Sequence, residues 1–126
     1  MDFNLEEGVR GNKEQIVESK DTAASYGSGL IEVFATPGMI ALMELTCCSS
    51  VQEFLPKGWT TVGTEVCIKH TKATPKGMKA RCESTLTKVD GKKLEFEVIA
   101  YDDEDMIGKG THKRYIINED KFMSKF

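Results

Sequence analysis

The chain has 126 residues and a formal charge of −3, from 17 basic and 20 acidic residues spread along its length. That length fits one domain, residues 1–126, with 1–12 read as a loose arm or short edge strand. The even mix of charges, without a basic stripe, argues against a nucleic-acid binder.

From the N-terminus, Met1 to Glu7 is acidic and lacks the basic start and apolar run of a signal peptide, so a cytoplasmic protein is expected. Glu14 to Ala24 fits either a strand or a loop. Tyr26-Gly27-Ser28-Gly29 reads as a flexible turn and Leu30–Phe34 as a short apolar strand. Thr36-Pro37 then marks a helix start, with Thr as the expected N-cap and Pro in the first turn. Met39, Ile40, Leu42, Met43, Leu45 and Cys47 make that helix apolar nearly all round, so it is expected to be buried. Pro37, Gly38, Thr46, Ser49 and Ser50 make the stretch a poor membrane span. Lys57-Gly58 after Pro56 stops the helix.

Beyond it the period changes to two. Thr61–Thr71 alternates, with Val62, Thr64, Val66, Ile68 and His70 expected on one face and Glu65 and Lys69 on the other. Thr74-Pro75-Lys76-Gly77 is a turn, Met78–Val89 a strand, Asp90-Gly91 a hairpin signal and Lys93–Tyr101 another strand. An acidic turn, Asp102–Asp105, leads into a last long strand over Met106–Asn118. A buried helix followed by an antiparallel meander needs the sheet to wrap the helix, which predicts an α+β chain of the hot-dog type.

Glu44 is the most informative residue, since it is the only charge between Glu32 and Glu53 and sits among Leu42, Met43 and Leu45. An unpaired buried carboxylate is costly and shifts its pKa upward, a property that clusters at functional sites. The alternatives are a Glu at a solvent-facing edge, or one paired with a buried base. His70, on the apolar face of its strand, fits a core residue or a general acid–base group. Thr36 can cap the helix while the free amides there stabilise a developing oxyanion. Gly63 interrupts a β-branched run, which signals a bulge or a close ligand approach. Arg114 and His112 share a strand face by period two and read as an ion-pair partner or a surface pair. Lys69, Lys72, Lys76, Lys79 and Arg81 gather near Pro75 as a solvated face or a phosphate grip. Cys47, Cys48, Cys67 and Cys82 lack CxxC spacing, so reduced, mostly buried thiols and no metal site are expected.

Several segments together carry a resemblance: Val33-Phe-Ala-Thr-Pro-Gly-Met-Ile-Ala-Leu-Met-Glu44, Leu55-Pro-Lys-Gly58, Val62-Gly-Thr64, His70, Thr74-Pro75 and Gly108-Lys-Gly-Thr-His-Lys-Arg114. In order and spacing, from about Asp21 to Phe122, the chain resembles the fluoroacetyl-CoA thioesterase family of hot-dog proteins. The resemblance implies thioester hydrolysis with Thr36, Glu44 and His70 as the catalytic residues, and Gly63, Arg114 and Phe34 at the substrate. It further implies a homodimer with sites at the interface, an acyl-coenzyme A substrate and no separate cofactor. The family's fluoroacetate-specialised member guards its pocket with a phenylalanine before the helix. Here that segment has no Phe until Phe34, which implies a different acyl preference. Glu44 lies eight positions after Thr36, roughly 12 Å along an ideal helix, so either the chain folds back or a second chain completes the site. A hydratase is disfavoured because Glu65 and Ile107, not Asp, stand five places before His70 and His112. A non-catalytic acyl-CoA binding module is the alternative reading.

Overall fold

The computed structural model describes residues 3–126. Strand β1 (Arg10–Ile16) is followed by a 3-10 turn (Ser19–Asp21), a single helical turn α1 (Ala23–Tyr26) and the long helix α2 (Thr36–Gln52). Strands β2 (Trp59–His70), β3 (Lys79–Asp90), β4 (Lys93–Tyr101) and β5 (Met106–Asn118) follow, with a terminal turn α3 (Glu119–Met123). The four later strands stand where periodicity and turn chemistry put them. Gly91, at φ +61°, supplies the left-handed corner of the β3–β4 hairpin. Residues 1–2 of the expected arm lie outside the described residues. Beyond them Phe3 packs edge-on against Trp59, Leu5 is buried, and Gly8 and Val9 exchange backbone hydrogen bonds with Leu86.

The five strands form one antiparallel sheet in the order β1-β3-β4-β5-β2, and α2 packs against its inner face. This is the curled sheet around a helix expected from the sequence. Met39, Leu42, Met43, Cys47 and Val51 from α2 meet Cys82, Leu86, Phe96, Val98 and Ile116 from the sheet in one core. Burying each large apolar side chain there contributes roughly 1.5–3 kcal/mol. No helix among the described residues is long and apolar enough to cross a membrane.

Three expectations need correction. Leu30–Phe34 is not a strand; only the isolated bridges Thr22–Phe34 and Val33–Pro75 form, and Leu30 is 96% exposed. Apolar β-formers make a strand only where a half-buried pleated surface receives them, and this loop has none. Helix α2 is not covered on all sides either, since one sheet shields one face and Leu45 remains 55% exposed on the other. Finally, the strict alternation across β2 fails. A bulge between Gly63 and Glu65 flips the parity, so Thr61 and Gly63 face inward before it and Val66, Ile68 and His70 after it. Val62, opposite the exposed Tyr115, therefore points outward.

Candidate active site

The chain carries two groups of polar side chains between α2 and β2. The first stands at the N-terminus of α2. Ala35, not Thr36, is the N-cap residue, with extended backbone and no side-chain cap bond. Thr36 is the first helical residue, and its hydroxyl is directed elsewhere: Oγ1 lies 2.8 Å from His70 Nδ1 at the end of β2. Lacking a side-chain cap, the first amides of α2 keep their positive end free toward this spot. With the hydroxyl donating to Nδ1, the ring carries its proton on Nε2, a buried atom with no partner among the described residues. Burial holds the His70 pKa below its ordinary value, with the Lys72 backbone carbonyl acting in the opposite sense. The imidazole is thus neutral near pH 7. A cavity of about 300 Å³ opens beside the pair, lined by Phe34, Ala35, Thr36, His70, Thr71 and Ala73.

Two residues beyond His70, an ionic clamp fixes the end of β2. Lys72 Nζ reaches Asp102 and Asp105 at 3.0 Å each and Glu104 at 3.2 Å, and the Asp102 carboxylate is fully buried. Lys76 pairs with Glu32, Lys79 with Glu14 and Arg81 with Glu83. The basic residues around Pro75 are therefore mostly balanced by carboxylates, which removes the case for a phosphate grip there.

The second group surrounds Gly63. Glu44 is half-buried on the flank of α2 and makes no hydrogen bond or ion pair among the described residues. A Cβ added at Gly63 would stand 2.9 Å from Glu44 Oε2, 3.2 Å from His112 Cε1 and 3.4 Å from Arg114 Nη1. The missing side chain is thus the point where three functional groups converge. Arg114, 8% exposed, donates from Nε to Thr61 Oγ1 at 2.7 Å and from Nη2 to the Thr61 carbonyl at 2.9 Å. Its Nη1 lies 3.1 Å from His112 Nε2, while His112 Nδ1 lies 2.8 Å from the Glu65 carbonyl. A guanidinium only donates, and a carbonyl only accepts, so His112 is neutral with its proton on Nδ1. Its lowered pKa agrees: burial depresses it most, the Glu65 carbonyl works against this, and the Arg114 charge adds to the depression.

His112 is the residue sequence reasoning left outside the site. It is no surface residue but 1% exposed, and its partnership with Arg114 was legible only as a shared strand face. Phe34 lines the first cavity from beneath the helix start. Cys47 and Cys82 are buried as expected, with their thiols pushed up to about 12 and about 11 by burial, whereas Cys67 is exposed on β2.

One chain does not bring Thr36, Glu44 and His70 together. Thr36 and His70 touch, but Glu44 belongs to the Gly63 group, seven residues or roughly 23 Å back along β2 from His70.

Comparison with known proteins identifies the family. The family described as FlK, fluoroacetyl-CoA-specific thioesterase, matches residues 17–120. The fluoroacetyl-CoA thioesterase of Streptantibioticus cattleyicolor is 42% identical over 94 residues, covering 75% of this chain and 68% of that protein. A solved structure of the fluoroacetyl-CoA thioesterase FlK superposes with a TM-score of 0.91 at 34% identity, over 97% of this chain and 95% of that one. A Thermus thermophilus protein described as a thioesterase superfamily member follows at 0.89 and 27% identity, over 97% and 90%. The chain belongs to the fluoroacetyl-CoA-specific thioesterase family.

Proposed function

We propose that the chain hydrolyses a small-acyl coenzyme A thioester at sites built between two copies of itself. As a member of its family it is a thioester hydrolase; the composite site, the residue roles, the acyl-CoA substrate and a cytoplasmic setting, favoured by four free thiols, are the proposal. The observation that carries it is the division of the polar residues into two groups along β2, the strand at the sheet's edge.

Antiparallel pairing of β2 with its copy, centred on Cys67, sets Val66 against the partner subunit's Ile68. The bulge after Gly63 adds one residue on this strand, which draws Gly63 opposite the partner subunit's His70. Both then face inward. Glu44 and Gly63 of one copy complete the Thr36–His70 pair of the other.

The 2.8 Å contact between Thr36 Oγ1 and His70 Nδ1 supports His70 as the base for the Thr36 hydroxyl. Thr36 attacks the thioester carbonyl, and its proton passes to neutral His70 Nδ1 and then to the departing coenzyme A thiolate. Free amides at the α2 N-terminus and the Gly63 backbone hold the oxyanion. Glu44 takes a proton from the water that cleaves the acyl-threonine ester and passes it to the departing Thr36 oxygen, releasing the free acid and restoring the hydroxyl.

The test is hydrolysis of a panel of short and medium acyl-CoA thioesters, followed chromatographically. Glu44→Gln should lower turnover by about 10²- to 10⁴-fold. A Glu44→Gln protein near the wild-type rate removes Glu44 from the reaction. Silence of the wild type across the panel, with saturable acyl-CoA binding, replaces the hydrolase with a binding module.

A further inference from the structure

We propose that Asp102 is a positioning residue for the reaction: its buried carboxylate clasps the run from Lys72 to Thr74 and thereby sets the approach of Thr36 to His70. This deepens the reading above and rests on those two residues being the reacting pair. Asp102 opens the β4–β5 turn, and its two oxygens have different partners. Oδ1 accepts from the backbone amides of Glu104 and Asp105 at 2.8 Å each, which fixes the turn itself. Oδ2 accepts from Lys72 Nζ at 3.0 Å and from Thr74 Oγ1 at 3.4 Å, which ties the turn to the chain beyond β2.

That stretch of chain touches both halves of the pair. Thr36 and His70 come from different elements, the first turn of α2 and the last position of β2. The start of α2 has no side-chain cap and is held through the backbone. Phe34 donates its amide to the Thr74 carbonyl at 2.8 Å, and Ala35 donates to the Asp21 carbonyl at 2.9 Å. On the other side, Lys72 follows His70 by two residues. Burial lowers the His70 pKa, and the group that works against it is the Lys72 backbone carbonyl, which therefore bears on the imidazole. One carboxylate thus grips the residue that acts on His70 and the residue that holds the approach to Thr36.

Burial separates this contact from an ordinary surface ion pair. The Asp102 side chain is 0% exposed and Thr74 is buried with it, whereas Glu104 and Asp105, which also reach Lys72, are 67% and 66% exposed. Exposed pairs of that kind contribute about 0–1 kcal/mol and hold no fixed geometry. Desolvation offsets much of the attraction between Asp102 and Lys72, so the effect of the clasp falls on geometry more than on stability. Geometry is what this end of β2 needs. The ladder stops at His70, opposite Gly108, and beyond it Thr71 and Lys72 share the single Ile107 carbonyl, at 2.7 and 3.3 Å. Asp102 is not among the residues lining the cavity beside the pair, so it acts through its partners and not on the substrate.

Imidazole nitrogen NMR on the full chain, paired with acyl-CoA kinetics, tests this. In the wild type His70 should hold one tautomer, protonated on Nε2, because the Thr36 hydroxyl occupies Nδ1. His112, protonated on Nδ1 toward the Glu65 carbonyl, is the reference in the same spectrum. Asp102→Asn keeps an oxygen for the turn amides but presents an amide NH₂ to Lys72 and Thr74, two further donors, which opens the clasp. His70 should then populate both tautomers with His112 unmoved. The turnover number kcat should fall about 10- to 100-fold, the scale of a small misplacement, with KM within about threefold of wild type. Lys72→Met leaves the turn bonds in place and should move His70 in the same way, so it stands in if Asp102→Asn does not fold. An unchanged His70 in a folded variant overturns the proposal. So does movement of both histidines together, the mark of general loosening, or a shifted His70 in an enzyme whose kcat is unaltered. A wild-type His70 already divided between tautomers overturns it without any variant. If the wild type hydrolyses no thioester while Asp102→Asn still shifts His70 alone, the clasp stands and the hydrolase reading falls. Hydrolysis by the wild type, with His70 and kcat unmoved in the variant, does the reverse.

Discussion

Replacing Gly63 with Ala separates the stability of this fold from its chemistry. Gly63 does not have a positive φ, so alanine fits the backbone there. Restricting the unfolded chain at such a position stabilises by about 0.4–1 kcal/mol. Against this, the new methyl would stand 2.9 Å from Glu44 Oε2, 3.2 Å from His112 Cε1 and 3.4 Å from Arg114 Nη1. The two latter groups are pinned, His112 by the Glu65 carbonyl and Arg114 by two bonds to Thr61. Glu44 has no such restraint among the described residues, and its carboxylate is the end of a flexible side chain. It is therefore the group that gives way, by at least several tenths of an ångström, at little cost in folding. The net change in stability should lie within about 1 kcal/mol of zero, a Tm shift of a few degrees for a domain of this size. The rate should suffer far more, since misplacing a catalytic group by about 1 Å can cost roughly 10²-fold. Thermal melts and acyl-CoA hydrolysis on the same preparation measure both. A Gly63→Ala enzyme within threefold of wild type would refute the idea that this gap positions Glu44. One that unfolds some ten degrees early would show that His112 and Arg114, not Glu44, absorb the clash.

Thr36→Ala should lower kcat by two or more orders of magnitude through loss of the hydroxyl held 2.8 Å from His70, while Thr36→Ser keeps most of it; an equal loss in both would mean the methyl rather than the hydroxyl matters. Both histidines have folded-state pKa values below their ordinary one, so the unfolded chain binds more protons on acidification. Their contribution to stability is complete above the unfolded value of about 6.5 and is lost as pH falls through the lower folded values, which urea titrations from pH 8 to 5 should register. His112→Leu leaves Arg114 Nη1 without its 3.1 Å partner and should cost about 1–3 kcal/mol in chemical denaturation; no loss would mean that water or Glu44 takes over that donor. If β2 pairs with its copy about Cys67, mild oxidation should yield a covalent dimer on non-reducing gels, absent in Cys67→Ser. Directly opposed Cα atoms there lie about 4.5–5.5 Å apart, within disulfide reach.

Much of this architecture is written locally. The alternation of Leu94, Phe96 and Val98 against Glu95 and Glu97, and the Asp90-Gly91 corner, give β4 and its hairpin without reference to the rest of the chain. Pro37 and Lys57-Gly58 bracket α2 because they act on their own backbone. Glu44 and Gly63 stand out for a similar reason: each breaks the pattern of its own segment. The distant matches needed the fold. The bulge after Gly63 arises from pairing with β5, and one extra residue there decides which face His70 and Val62 take. Lys72 could not be told from Lys92 by composition, since pairing with Asp102, Glu104 and Asp105, or with no carboxylate among the described residues, depends on which turns the sheet brings together. Nor could Thr36 be moved from helix cap to His70 partner until β2 ended beside it. Periodicity reports how a segment meets a generic inside and outside. Which side chains meet each other is set by register and curvature, and those are properties of the packed sheet.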